Sequence, residues 1–317
     1  MEGARNEIMT IVVPVKNRPR LVVRSLDSIK AQIWRPLRVV IVDNDSTDET
    51  PDVLRKWKQE SEAPDFIVDI VKETIPGPAA ARARGVEEVD SRLMMHFDSD
   101  DVMDPGHVES IMKRFAENDA PDLVFFRFRR HFPNDKEVLT HAPGREGVMI
   151  SHLVHSILST QNYACETALL RRAGSWKGEL TCWEDYELGI RLILESRLRA
   201  FIKDVNATVI SHEDSVTGQD FSSKAGEWEK ALDAIEATFE KTPRPQQKKW
   251  LRYVAYRRAI LAAHYRKEGN YEQAVKLLRE ALANENLNSV QRIFLRLAYR
   301  YTALGGRGAA KGARFIL

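Results

Sequence analysis

Residues 93–101 read LMMHFDSDD, the apolar run Leu93 to Met95 carried on to Phe97 and ending abruptly in Asp98-Ser99-Asp100-Asp101. A short apolar run bounded by polar residues reads as a buried strand. Three carboxylates in four residues repel one another unless solvent or a cation takes up their charge. Clustered oxygens of this kind suit a hard ion, Mg2+ or Mn2+, that keeps positions open for a substrate diphosphate. The same grammar recurs on either side. Ile8 to Val15 and Leu37 to Val42 are apolar runs followed by Lys16-Asn17 and by Asp43-Asn44-Asp45, and Phe66 to Val71 and Leu123 to Phe128 read as further strands. Between them, helices open at Pro19, at Thr50-Pro51 (Thr50 reading as an N-cap) and at Asp104-Pro105. Strand and helix in alternation predict an α/β fold built on a mainly parallel, doubly wound sheet. Ligands of such sheets bind beyond the carboxyl ends of the strands, so the three polar clusters should converge there.

Beyond His131 the pattern loosens. Val148 to Leu158 reads as a helix, Cys165 to Leu170 as a strand, Glu184 to Leu194 as a helix and Phe201 to Ile210 as a broken strand. After about Gly218 only helical periodicity remains, over 226–240, 246–267, 271–284 and 289–304, with a break at Pro243 and Pro245. The expected organisation is a catalytic domain over 1–220 and an all-helical appendage over 221–317. Charge divides the chain in nearly the same place. Residues 241–317 hold 17 Lys/Arg against 4 acids, a balance of +13, so the whole chain's +2 leaves −11 for residues 1–240. The apolar runs fall short of the ~18 residues of a membrane-spanning helix. The first seven residues lack a leader pattern. Two cysteines, Cys165 and Cys182, make no disulfide framework. A cytoplasmic setting is therefore expected.

Three further stretches hold chemistry. Gly77 to Gly85 (GPAAARARG) sets two arginines among small residues that let backbone approach a ligand. Trp183-Glu184-Asp185 opens a helix, where acids are favoured by the macrodipole and where a carboxylate can serve as a general base beside an aromatic sugar platform. His212, after the last apolar strand, is a candidate metal or phosphate contact.

Taken together, over about residues 8–216, these motifs resemble the family 2 glycosyltransferases, enzymes with the nucleotide-diphospho-sugar transferase fold called GT-A. Pro14-Val15-Lys16-Asn17 is similar to that family's Pro-x-x-Asn, and Val42 to Asp48 to its Val-Asp-Asp-Gly-Ser-Thr-Asp, departing at Asn44 and Asp45. Gly77 to Gly85 matches Gly-x-x-x-Ala-Arg-Asn-x-Gly with Ala83 in place of Asn, and Asp98, Asp100 and Asp101 keep Asp-x-Asp-Asp. Glu184-Asp185 matches the pair that supplies the family's catalytic base, and His212 with Ser215 resembles a stretch that closes over the diphosphate. The resemblance implies an inverting, metal-dependent glycosyltransferase with a UDP-sugar as the expected donor. Pro14, Val15, Asn17, Asp43, Arg82, Asp98, Ser99 and Asp100 would bind the nucleotide, and Asp100, Asp101 and His212 the Mn2+ or Mg2+. Asp185 would be the base, with Trp183 and Glu184 facing sugar or acceptor. The acceptor would be a glycan or a lipid-linked glycan in cell-surface polysaccharide assembly. A nucleotidyltransferase usually carries a Gly-rich loop after the first strand, and Lys16 to Arg20 has no glycine. The remaining rival is a degenerate transferase acting as scaffold.

In the basic appendage, Tyr265 to Ala274 with Ala281-Leu282 resembles one tetratricopeptide hairpin, a unit that must pack on something else to bury its face. Arg292, Arg296 and Arg300 recur at four-residue spacing beside Ile293, Phe294, Leu297 and Tyr301. That pattern suits peripheral contact with the anionic inner face of a membrane, or pairing with another subunit through 241–317. No nucleic-acid motif is present, and nucleic acid is not expected as a partner.

Overall fold

The computed structural model describes residues 7–211, 220–242 and 244–317. They form two compact units, one holding residues up to 142 and 157–211, the other holding 143–156 and the chain from 220 onward. Residues 143–156 therefore group with the C-terminal helices, although they lie inside the 1–220 stretch assigned from sequence to the catalytic domain.

The first unit is a seven-stranded sheet with helices between its strands. In chain order its first elements are β1 (Met9–Val15), α1 (Pro19–Lys30), β2 (Leu37–Asp43), α2 (Thr50–Ser61), β3 (Phe66–Lys72), α3 (Pro78–Glu87) and β4 (Leu93–His96). There follow β5 (Val102–Met103), α4 (His107–Phe115), β6 (Leu123–Phe126), β7 (Arg129–His131), β8 (Glu137–Leu139), β9 (Tyr163–Glu166), α6 (Thr167–Arg172), α7 (Glu184–Glu195), β10 (Arg199–Ile202) and β11 (Ala207–Ile210). The strand order is β10-β6-β9-β4-β1-β2-β3, parallel throughout except for β9, which runs antiparallel to both its neighbours. A second sheet, β5-β11-β7-β8, is assembled from four short strands. The expected mainly parallel α/β sheet is what the chain forms.

β1 and β2 are each paired on both sides, which is why they read as unbroken apolar runs: Ile11, Val13, Val39 and Ile41 are fully buried. Val22, Leu26 and Ile29, the apolar face of α1, close over them. Gly85 lets α3 approach the strands on which it packs. A Cβ there would overlap a γ-methyl of Val12 and stand 3.0 Å from one of Val42. Gly85→Ala is expected to lower stability by about 1–3 kcal/mol, the usual cost of overpacking a dense core. A fall in the urea midpoint at unchanged m-value checks it.

Two local readings are corrected. The stretch Cys165 to Leu170 is not one strand: β9 ends at Glu166 and α6 begins at Thr167. A short apolar run fits either period, and Ala-Leu-Leu-Arg-Arg is made of good helix formers. Thr50 is not the N-cap of α2 either, since Glu49 takes that place. The Thr50 hydroxyl accepts instead from the Arg18 N–H at 2.9 Å, tying α2 to the start of α1.

The second unit is helical: α5 (Val148–His155), α8 (Glu227–Lys241), α9 (Gln247–Lys267), α10 (Tyr271–Ala283), α11 (Ser289–Ala303) and α12 (Ala309–Ile316). α9 is its hub, packed on by α5, α8, α10 and α11. Gly269, at φ +85°, makes the turn into α10, and Ala274 and Ala281 bury fully against its neighbours. Pro243 lies outside the described residues. No described helix is long and apolar enough to cross a membrane.

Candidate active site

β1, β2 and β4 run parallel in register, with Val15 opposite Asp43 and Val12 opposite His96. The segments that leave their carboxyl ends emerge on one edge of the sheet, as the sequence predicts. Asn17 adopts φ +51°, a left-handed conformation that asparagine tolerates. There its Oδ1 accepts from the Thr47 N–H, and its own N–H donates to Ser46 Oγ, each at 2.9 Å. Asp43 is buried and its Oδ1 accepts from the Ser46 N–H at 3.1 Å. Pro14 and Val15 are buried just behind them. Asn44, a departure from the motif it resembles, is a structural residue. Its Nδ2 donates to the carbonyls of Glu73 and Ile75 and its Oδ1 accepts from the Gly77 N–H, which fixes the loop leading into α3.

Arg82 joins three elements. From α3 its Nη2 reaches Asp98 Oδ1 at 2.8 Å after β4, and its Nη1 reaches Glu184 Oε1 at 3.2 Å at the start of α7. Its guanidinium also lies over the Trp176 ring, 4.7 Å from the centroid. Burial alone would lower the Arg82 pKa, but the charges of Asp98, Glu184 and Asp185 more than offset this and hold it above the ordinary arginine value. Trp176 Nε1 donates to His96 Nε2 at 3.1 Å, so His96 is neutral with its proton on Nδ1. Burial, then the Arg82 charge, push His96 down to about 3.

Trp183 stands at the N-cap of α7 with φ +53°, a strained conformation for a bulky residue. It sets the angle at which Glu184 and Asp185 begin the helix, and its ring meets that of Tyr186 edge-on at 5.8 Å. Of the three acids in this first turn, Glu187 points inward, fully buried between Lys177 and Arg191. Glu184 and Asp185 remain with the Arg82 cluster. Asp185 accepts from the Tyr186 N–H at 2.7 Å. Burial first, then the Glu184 charge, push it up to about 7, while Arg82 pulls the other way.

The acidic run divides in two directions. Asp98 turns to Arg82. Asp100 pairs through Oδ2 with Arg18 at 2.5 Å, and its carbonyl accepts from Arg24. Asp101 turns away: it is 2% exposed, its Oδ2 accepts from Gln161 Nε2 and its Oδ1 from the Ile210 N–H at 3.0 Å. Burial, then the charges of Asp98 and Asp100, push it up to about 8. A metal held jointly by Asp100 and Asp101 therefore does not fit. Asp101 instead joins the acidic loop to β11 and to the turn before β9. Among the described residues no group of three or more His, Cys, Asp or Glu side chains is arranged around a cation. The donor set fits an ion that takes one protein carboxylate, Asp100, and fills its other positions from substrate phosphates and water. His212 lies outside the described residues. Ser99 is buried in the same turn.

Arg18, Trp176, His96 and Gln161 were not singled out from sequence. Arg18 directly follows the Lys16-Asn17 cluster, and that position was its one signal; the other three owe their place to contacts distant in the chain.

The profile of glycosyl transferase family 2 matches residues 10–175. Among curated proteins, the chain is 21% identical over 172 residues to glycosyltransferase GlyG of Streptococcus pneumoniae, covering 54% of this chain and 52% of GlyG. It is 25% identical over 171 residues to the Escherichia coli UDP-Glc:alpha-D-GlcNAc-diphosphoundecaprenol beta-1,3-glucosyltransferase WfaP, covering 53% and 62%. The chain thus spans roughly half to three-fifths of these two relatives. Among solved structures it is similar to S. aureus TarS 1–349 in complex with UDP-GlcNAc, with a TM-score of 0.69 at 15% identity, covering 94% of this chain and 88% of that one. It is similar also to mannosyltransferase PcManGT from Pyrobaculum calidifontis in complex with GDP-Man and Mn2+, with a TM-score of 0.56 at 18% identity, covering 94% and 86%. These likenesses establish the GT-A fold. With a family match that spans more than half of its residues, the chain belongs to glycosyl transferase family 2.

Proposed function

We propose that the protein is an inverting glycosyltransferase that moves a sugar from a UDP-sugar to a hydroxyl of a glycan or lipid-linked acceptor. The observation that carries this reading is the Arg82–Asp98–Glu184 cluster at the carboxyl ends of the central strands, with Asp185 beside it at the start of α7. The names of WfaP, which contains UDP-Glc and a diphosphoundecaprenol acceptor, and of the TarS complex with UDP-GlcNAc support the choice of donor and acceptor class.

In this reading Pro14, Val15, Asn17 and Asp43 form the seat of the base and ribose, with Asp43 accepting from the nucleoside. Arg82, always charged, orients Asp98 and faces the donor. Ser99 and Asp100 meet the diphosphate. A divalent cation on Asp100, once bound, supplies charge neutralisation for the departing diphosphate. Arg18 occupies that carboxylate otherwise, and it must give way as the donor enters. Asp185 accepts the proton of the attacking hydroxyl, on the face of the sugar opposite the leaving group. Glu184 and Trp183 flank the acceptor, the ring offering a platform for a sugar.

The test is a thermal-shift titration with UDP-sugars, with and without Mn2+, on the wild type and on Asp100→Ala. Stabilisation by a UDP-sugar that grows with Mn2+ in the wild type and loses its Mn2+ dependence in the variant is the expected outcome. No stabilisation by any nucleotide-sugar would leave the chain a scaffold. Equal Mn2+ dependence in both proteins would remove the metal from Asp100.

A further inference from the structure

The outer face of α11 is built for a lipid surface. Val290, Ile293, Leu297 and Tyr301 are 65%, 54%, 57% and 50% exposed, and at helical spacing they make one continuous stripe. Leu304, 89% exposed, continues the stripe past the helix end, and Phe315 on α12 is 90% exposed. Single exposed apolar residues need no explanation, but a full stripe along one helix does. Along its edge stand Arg296 and Arg300, with Arg307 and Lys311 following, all exposed. None of the four has an acidic partner among the described residues, whereas Arg314 pairs with Glu146 at 3.0 Å. From 286 to 317 the chain has no Asp or Glu at all.

We infer that α11 docks the protein on an anionic bilayer, its apolar stripe entering the headgroup boundary and its arginines meeting the lipid phosphates. This goes beyond the catalytic reading and does not rest on it. An apolar stripe edged by cations is the arrangement of helices that lie in the membrane interface. A second copy is the less favourable occupant. Symmetric pairing across the stripe sets Arg296 and Arg300 of one copy against the same residues of the other, with no acid between 286 and 317 to separate them. A lipid surface of negative charge complements the face along its whole length.

Co-sedimentation with vesicles tests this on the full chain, comparing pure phosphatidylcholine with an equimolar mixture of phosphatidylglycerol and phosphatidylcholine at low and high salt. The wild type is expected to bind the anionic vesicles and to release as salt rises. Arg296→Gln with Arg300→Gln should weaken binding about 25-fold, at roughly fivefold for each cation near an anionic surface. Ile293→Ser with Leu297→Ser should weaken it at least about tenfold, as buried methylene groups are lost from the bilayer. All four positions are exposed, so both variants should keep the wild-type circular dichroism and thermal melt. Absent binding to the anionic vesicles overturns the inference, and so does binding that neither double variant weakens. Self-association in sedimentation velocity without vesicles, relieved by Ile293→Ser with Leu297→Ser, also overturns it and assigns the stripe to a second copy.

Discussion

Asp185→Asn is expected to leave UDP-sugar affinity within about twofold of wild type while lowering kcat by about 10²–10⁴-fold, the range typical for loss of a positioned general base. The substitution is nearly isosteric, and an amide can still accept from the Tyr186 N–H that the carboxylate uses. It cannot take up a proton from the acceptor. The pH profile supplies a second check. Because burial and Glu184 push Asp185 up to about 7, it carries the charge that the proposed base needs only above that region. The transfer rate of the wild type should therefore rise with pH through about 7 and level off beyond it. The same shift acts on stability. A carboxyl whose pKa is raised by folding stabilises the fold fully only while protonated. Its contribution is therefore lost as pH rises from the unfolded value toward the folded one. Turnover by Asp185→Asn comparable to wild type would remove Asp185 from the mechanism.

Arg82→Ala is the second substitution with a large expected effect, and here the loss is structural as well as functional. It strips the cation from Asp98 and Glu184, which are largely buried, and removes the guanidinium stacked on Trp176. Deleting one partner of a buried ion pair costs about 3–5 kcal/mol. With Asp98 still about a quarter exposed, the lower end, about 3 kcal/mol, is the expected loss in chemical denaturation. Arg82→Lys keeps the charge but lacks the planar fork that reaches two carboxylates at once, so it should recover only part of the stability. Arg82 also holds Asp185 down against burial, so Arg82→Lys, which folds more readily, should shift the activity limb less than Arg82→Ala. A limb that stays in place in both variants would break the electrostatic link between α3 and α7.

The strand ends were legible because their signals are local. Pro14 to Asn17, Asp43 to Asp45 and Asp98 to Asp101 each close an apolar run, and parallel pairing leaves only one edge of the sheet for them. Arg82 with Glu184 could be read only as two motifs on separate helices; their contact depends on how α3 and α7 dock. Asp101 shows the limit most clearly. Within the acidic run it looks equivalent to Asp100, and what sets it apart is Gln161 and Ile210, 60 and 109 residues further along the chain. Asn44 is the converse. As a departure from a motif it was passed over in favour of Asp43, yet its amide secures the loop from Glu73 to Gly77. The split of Cys165 to Leu170 into strand and helix was hidden because the apolar run serves both periods.

The grouping of 143–156 with the C-terminal helices bears on synthesis as well as on the finished fold. The segment with α5 leaves the ribosome well before α9, which begins at Gln247, about 90 residues later. At the usual pace of translation that interval is on the order of 5–20 s. For that time the apolar side chains Met149, Ile150, Leu153 and Val154, all buried in the mature protein, wait without the helix on which they close. The sheet-bearing unit, by contrast, has all its strands once Ile210 has emerged. Nascent chains stalled once Ile210 has left the ribosome and before α9 has should therefore expose α5 to chaperones or proteases while the sheet is already protected.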